Sequence, residues 1–366
     1  MKVLMFHSVG NGNSPWNRSY LSVNLQHFDY FCRYLKRNSF QTLLLEEWYH
    51  LQDNKSEISN KHVVLTFDDG YLDNWTFVYP ILKKYGLKGT VFINPEFVDS
   101  SISQRPKLDD VNFDATKITQ NERLGFLNWN EIKEMDASEV MDIQSHSMSH
   151  NWYFKADKII DVYHGQSDYD WLAWIKKPER KPFYMLEDQT SFIPDGYPIF
   201  ENDRALSLRR YFPDERLIEE ARNLFVTFKN DKSNKKQILS TLNNLVQEKY
   251  PGYFESDEEM KKRFEYELIE SKRILEDKLN KNVDYLCWPG GGYNDLAIDI
   301  SKRAGYKAST LASKETNHGI DNVGFYKRVP RKGMGSFVYK NGRIIPAKLK
   351  HHLTLSYLAK TGNFGA

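Results

Sequence analysis

With 366 residues, of which 40% are hydrophobic and 27% charged, the chain has the composition of a globular protein of one large or two ordinary domains, not a disordered one. A formal net charge of +2 excludes bulk nucleic-acid binding as its main task. The two cysteines, Cys32 and Cys287, cannot build a disulfide framework; they form a single bridge or, as expected here, are buried free thiols that suit a reducing compartment.

In chain order, Met1-Lys2-Val3-Leu4-Met5-Phe6-His7 is too short and too soon interrupted for a secretory signal. Val3–Phe6 is therefore the expected first strand, and the cytoplasm the default location. No apolar run approaches the roughly 20 residues that span a bilayer. Further strands are expected where β-branched and apolar residues run together, at Thr42–Leu45, Val63–Phe67, Thr90–Ile93, Val140–Gln144, Val283–Trp288 and Lys307–Leu311. Helical patterns lie between most of them, at Leu25–Leu35, Trp75–Tyr85 and Trp129–Met135. A longer helix carries Phe264, Leu268, Ser271, Leu275 and Leu279 on one face and opens with Ser256-Asp257-Glu258-Glu259, a capping box with an acidic first turn. This alternation predicts an α/β fold with a parallel sheet, open or closed into a barrel.

The alternation breaks at about Asn151 to Glu255, which reads as an insertion on the active-site side. Its first half is aromatic and is expected to be irregular (Trp152, Tyr153, Trp171, Trp174, Phe183, Tyr184, Tyr197 and Phe200). Its second half predicts two amphipathic helices, one through Leu217, Ala221, Leu224 and Phe228, the other through Ile238, Leu242 and Leu245. A smaller insertion spans about Asp99 to Gly125. Loops of this length beside a site are usually lids or substrate walls. The high aromatic content, 14%, fills cores and also supplies rings that stack on sugar faces. From Lys327 to His352 there are eight Lys or Arg, two His and no acid. This is either a solvated basic face or a contact for an anionic substrate group, a lipid-linked substrate or an anionic membrane surface.

Two segments carry the chemistry. Thr66-Phe67-Asp68-Asp69-Gly70 ends one expected strand, and His146-Ser147-Met148-Ser149-His150 follows another. In an alternating α/β chain, strand ends are where active sites are built. Histidines four apart can share a metal from one face of a helical turn, and with one carboxylate they leave positions open for water and substrate. A second, adjacent carboxylate kept off the metal can act as a base. Gly70 allows the sharp turn that lets Asp68 and Asp69 point apart.

These two segments resemble the polysaccharide deacetylase family, the NodB-homology domain of carbohydrate esterase family 4. Leu286-Cys287-Trp288-Pro289-Gly290-Gly291-Gly292-Tyr293-Asn294 is similar to the family's segment at one side of the substrate groove. The resemblance covers about residues 1–150 and 265–335. It implies a distorted (β/α) barrel, a single catalytic domain over 1–366 with residues 151–255 as lid or subdomain, and a basic extension over 336–366. It also implies Asp68 as the base, Asp69, His146 and His150 as metal ligands, and Pro289, Gly291 and Tyr293 at the substrate, with a Tyr293 N–H facing the oxyanion. The implied metal is Zn, with Co, Ni or Fe also suited to two imidazoles and a carboxylate.

The chain departs from the family in two places. Cys287 and Trp288 stand where the family has an Arg that orients the base, so a later Arg must serve; Arg328 is the expected one, with Arg331 behind it. The family's late Leu-x-His is absent, but Phe6-His7-Ser8-Val9 resembles members acting on poly-N-acetylglucosamine, whose acid histidine comes from the first strand. His7 is thus the expected general acid, with His318 the alternative. The implied reaction is hydrolysis of an acetamide on an amino sugar of a cell-surface glycan or its precursor, releasing acetate. A small non-sugar amide as substrate, and a sugar-binding relative without catalysis, remain alternatives.

Overall fold

The computed structural model describes residues 2–12, 14, 16–54, 57–114, 117–119, 122–228, 235–311, 326–334, 337–340 and 343–346. His318 and most of the 336–366 extension lie outside the described residues. The framework is a parallel sheet of nine strands. From one edge to the other it runs Lys327–Val329, Ala308–Thr310, Tyr285–Leu286, Met141–Ser145, Gly89–Ile93, His62–Phe67, Lys2–Phe6 and Lys332–Gly333, with Gln41–Leu43 also on His62–Phe67. The two edge strands are separated in sequence only by Pro330 and Arg331. The sheet must therefore curl until its edges meet across that link, which makes it the distorted (β/α) barrel expected.

Its strands are apolar on both faces because helices cover the outside and side chains fill the inside. Val63, Val64, Leu65 and Phe67 are all buried, as are Val91, Phe92 and Ile93. Helix Leu25–Arg37 starts where the Asn24 side chain accepts from the Gln26 and His27 N–H groups, and it turns Phe28, Phe31, Cys32 and Leu35 inward at helical spacing. The Ser256 capping box forms as expected, and the helix it opens runs from Asp257 to Leu279 through a π-helical turn at Tyr266–Glu270. A second π-helical turn, Asn74–Val78, replaces the start of the helix expected from Trp75. Both cysteines are free and buried. No helix among the described residues is long and apolar enough to cross a membrane.

Residues 151–255 are more ordered than their composition suggests. Helices Glu215–Phe228 and Lys235–Glu248 cover the two expected ones. The aromatic half, expected to be irregular, instead holds an antiparallel ribbon, Trp152–Val162 on Pro198–Arg204, with register shifts between Phe154 and Asp161. Its partners are some forty residues apart in sequence and Lys155, Asp157, Lys158 and Asp161 interrupt it, so neither a tight turn nor an apolar run announces it. The ribbon and helices build their own core around Phe154, Ile199, Phe200, Leu217 and Leu242, which continues into Tyr71, Phe97 and Phe126 of the barrel.

Gly70 is required by the turn that carries the two carboxylates. Its φ is +70°, and a Cβ there would meet Ile93 Cδ1 at 2.6 Å. Gly70→Ala is expected to cost about 1–3 kcal/mol, from the left-handed backbone and the clash together, read as a lowered urea midpoint at unchanged m-value.

Candidate active site

Strand register brings the sequence-predicted residues together at the C-terminal edge of the sheet. Phe6 pairs with Phe67, and the Asp68 N–H donates to Phe6 O at 2.9 Å, so His7 and Asp68 leave their strands side by side. His7 Nε2 lies 3.9 Å from Asp68 Oδ2. The His146 N–H donates to Ile93 O at 2.9 Å and the Cys287 N–H to Ser145 O at 2.8 Å, which sets these two residues beside the same edge.

Asp68 is held by Arg331, not Arg328. Arg331 Nη1 donates to Asp68 Oδ1 at 2.6 Å and Nη2 to Oδ2 at 2.9 Å, a two-pronged pair buried on both sides. Its Nη2 also lies 3.0 Å from Cys287 Sγ, itself 3.5 Å from Asp68 Oδ2. The expectation for Arg328 is thus corrected. Arg328 sits within strand Lys327–Val329, opposite Ser309, and donates to Ser309 Oγ at 2.5 Å with its guanidinium 4.5 Å over the Tyr293 ring. Arg331 lies in the link that crosses the barrel seam, and that crossing turns it onto the end of strand His62–Phe67. Burial pushes the Asp68 carboxyl up, but the charge and hydrogen bonds of Arg331 outweigh it and hold the group below the ordinary carboxylate range.

Asp69, His146 and His150 form the other half of the site. Asp69 Oδ1 lies 3.0 Å from His146 Nε2 and 3.4 Å from His150 Nε2. The three donor atoms lie within 4.8 Å of one another, and the buried Asp69 Oδ1 has no hydrogen-bond partner among the described residues. His146 Nδ1 is 2.8 Å from the Cys287 carbonyl, which fixes its proton there and leaves Nε2 as a lone-pair donor. Burial holds His150 down to about 4, so its imidazole is neutral near pH 7. Two neutral-capable imidazoles and one carboxylate, converging on an orphaned oxygen, fit a divalent ion. The loop that presents them is not the helical turn expected from the four-residue spacing. Ser147 and His150 have φ of +58° and +51°, and Asp69 has +73°, so three non-glycine residues adopt left-handed backbone within one site.

What holds that loop was not read from the sequence. Glu267, buried in the π-helical turn, accepts from Ser147 Oγ at 3.1 Å, Met148 N at 3.2 Å, Ser149 N at 3.0 Å and Ser149 Oγ. Lys181, from residues 151–255, is buried on the other side, where it donates to Ser149 O at 3.0 Å and pairs with Glu96. Asp73 does the same for the His7 side. It accepts from Ser8 Oγ at 2.5 Å, Val9 N at 3.0 Å and Asn11 Nδ2 at 2.9 Å, while Asn74 Nδ2 donates to His7 O at 3.1 Å. A buried acid on an otherwise apolar helix face, as at Glu267, is the one sequence signal for such a strut.

The expected substrate residues are partly brought to the site. Pro289 borders a small cavity with His150, Arg204 and Gly292. Gly291 belongs to a 3-10 turn, Pro289–Gly291, that Arg204 covers, with Arg204 Nε donating to Gly290 O at 3.0 Å. The Tyr293 ring instead packs 5.0 Å from Trp288, beneath Arg328. A second small, open cavity borders Asp69 and His150 and is walled by Tyr71, Phe97, Trp174 and Tyr184.

Residues 55–169, which hold Asp68, Asp69, His146 and His150, match the family model described as Polysaccharide deacetylase. The chain contains a polysaccharide deacetylase domain. A putative polysaccharide deacetylase of Bacillus subtilis, YxkH, is 32% identical over 150 residues, 41% of this chain and 43% of that protein. The poly-β-1,6-N-acetyl-D-glucosamine N-deacetylase of Escherichia coli is 25% identical over 124 residues, 34% of this chain and 17% of that protein. The matched region thus spans less than half the length of these curated relatives. Among solved structures, a de-N-acetylase from Aggregatibacter actinomycetemcomitans superposes with a TM-score of 0.52 at 18% identity, over 90% of this chain and 94% of the other. The BpsB deacetylase domain from Bordetella bronchiseptica gives 0.50 at 15% identity, over 91% and 97%. These likenesses show a shared fold over nine-tenths of the chain.

Glu267→Gln puts an amide NH₂ against donors that now find a carboxylate. It is expected to weaken zinc affinity by about 10- to 100-fold, measured by calorimetric titration of the metal-free protein.

Proposed function

We propose that the chain is a metal-dependent N-deacetylase that hydrolyses the acetamide of an N-acetylated amino sugar, in a cell-surface glycan or its precursor, and releases acetate. The observation that carries this reading is the division of labour between adjacent carboxylates. Asp68 is locked in its ionised form by Arg331, while Asp69 turns to the two histidines. A structural Asp-Asp turn has no need of either arrangement. The sugar substrate is supported by the deacetylase domain and by the substrate named for the Escherichia coli relative.

Asp69, His146 and His150 would hold the ion, Zn by preference and Co, Ni or Fe by tolerance, and the ion supplies Lewis acidity to the carbonyl oxygen and acidity to a water. Asp68 takes the proton of the attacking water. Arg331 keeps Asp68 unprotonated beforehand and aims its oxygens. His7, beside Asp68 and fixed through its carbonyl by Asn74, gives a proton to the departing amine. The backbone around Pro289–Gly291 borders the space opposite and orients the sugar.

Asp68→Asn is expected to lower acetate release from N-acetylated glucosamine oligomers by more than about 10²-fold while zinc stoichiometry stays at one; substantial turnover in this variant refutes the base assignment. Chelation should remove activity and zinc should restore it. Because Arg331 is what keeps Asp68 below the ordinary range, removing its charge lets burial raise the group. In Arg331→Gln the acid limb of the kcat/KM profile should therefore move to higher pH, with a lower plateau.

A further inference from the structure

We propose that Arg18 forms an anion subsite beside the metal ligands, for a carboxylate or phosphate group carried by the acylated substrate. The chemistry above uses no residue from the Asn11–Ser22 loop, yet Arg18 lines the same cavity as Asp69 and His150. Its guanidinium lies 4.9 Å from the centre of the Trp174 ring, a cation–π contact. Among the described residues, no acceptor lies within hydrogen-bonding distance of its N–H fork. Arg331 and Arg105, by contrast, are each paired with carboxylates. Asp170, the carboxylate of residues 151–255 that feels Arg18, is itself taken by Asn17 Nδ2.

The rest of the cavity is also built for donating. Tyr71 and Tyr184 line it, with their hydroxyls hydrogen-bonded to one another. Trp16 Nε1 donates to the Tyr184 oxygen at 3.3 Å, which leaves the Tyr184 O–H to donate elsewhere. Charge balance points the same way, and this step rests on the metal-dependent reading above. The Asp68–Arg331 pair is neutral as a unit. A divalent ion on one carboxylate and two neutral imidazoles leaves a net positive charge, and Arg18 adds another. A guanidinium so placed opposes the ion unless an anion joins them, and its fork geometry matches a carboxylate or a phosphate.

The test measures binding without turnover. The zinc-loaded full chain is titrated calorimetrically with glucose, glucuronic acid and glucose 6-phosphate, none of which has an amide to cleave. At least one anionic sugar should bind about tenfold or more tightly than glucose, Arg18→Gln should abolish that preference, and Arg18→Lys should keep part of it. A preference for glucuronic acid alone assigns a carboxylate, and for glucose 6-phosphate alone a phosphate. Absence of a preference overturns the proposal. So does a preference that survives Arg18→Gln, since the anion then sits on the zinc. Should Arg18→Gln fail to fold, an undiminished preference in Arg18→Lys overturns it too. Failure of the deacetylase reading is separate: no N-acetyl sugar would release acetate, while the charge preference and its loss in Arg18→Gln would persist.

Discussion

The buried pair between Arg331 and Asp68 is the constraint on which the rest of the structure turns. The chain leaves one edge of the sheet at Val329 and joins the opposite edge at Lys332, and the two residues between them span the seam of the barrel. Closing the barrel and setting a guanidinium on Asp68 are therefore one event. Two charges this deeply buried tolerate each other only as a pair, and removing either partner of such a pair typically costs about 3–5 kcal/mol. Barrel closure is thus tied to the ionisation state of the carboxylate that the chemistry needs.

Beside this fixed pair, adjacent residues are made to do different work. The left-handed backbone at Asp69 turns its carboxylate from Arg331 toward the two imidazoles. Left-handed residues in one site cost of order 1–3 kcal/mol each, so neighbouring interactions must hold them. Glu267 does so for the histidine loop with four hydrogen bonds from three consecutive residues, and Asp73 does so for the segment after His7. The strain is local and its supports come from elsewhere in the chain: a π-helical turn more than a hundred residues on and the start of another helix.

This explains which parts of the molecule could be read from sequence. The central strands were legible because both faces of a parallel sheet are buried, which leaves unbroken apolar runs such as Val63–Phe67 and Thr90–Ile93. Asp68, Asp69, His146 and His150 were legible because each directly follows such a run. Arg328 and Arg331 were not separable, because the choice depends on where the chain crosses the seam, and that is a property of closure rather than of local pattern. The Trp152–Val162 strand was hidden by its interrupting charged residues and distant partner. Glu267 was hidden because a buried acid on a helix has meaning only once the loop it holds is in place. The spacing of the two histidines suggested a helical turn, but the same spacing also suits a left-handed loop when carboxylate and lysine supply its hydrogen bonds.

Residues 151–255 are more than a wall placed over a finished site. Lys181 reaches from them into the barrel, is fully buried, and donates to the carbonyl of Ser149, one residue before His150. Its partner Glu96 also accepts from the Tyr266 hydroxyl at 2.9 Å, at the edge of the π-helical turn that carries Glu267. A buried ammonium with a single carboxylate partner cannot leave without stranding a charge, so the inserted segment and the histidine loop are coupled mechanically. Trp174 and Tyr184 descend from the same segment to wall the cavity at Asp69. Lys181 lies between Trp174 and Tyr184 in the chain and contacts the carbonyl beside His150, so the cavity wall and the histidine loop share one segment. The segment that walls the cavity at Asp69 and the segment that braces the histidine loop are thereby the same, so remodelling residues 151–255 acts on both.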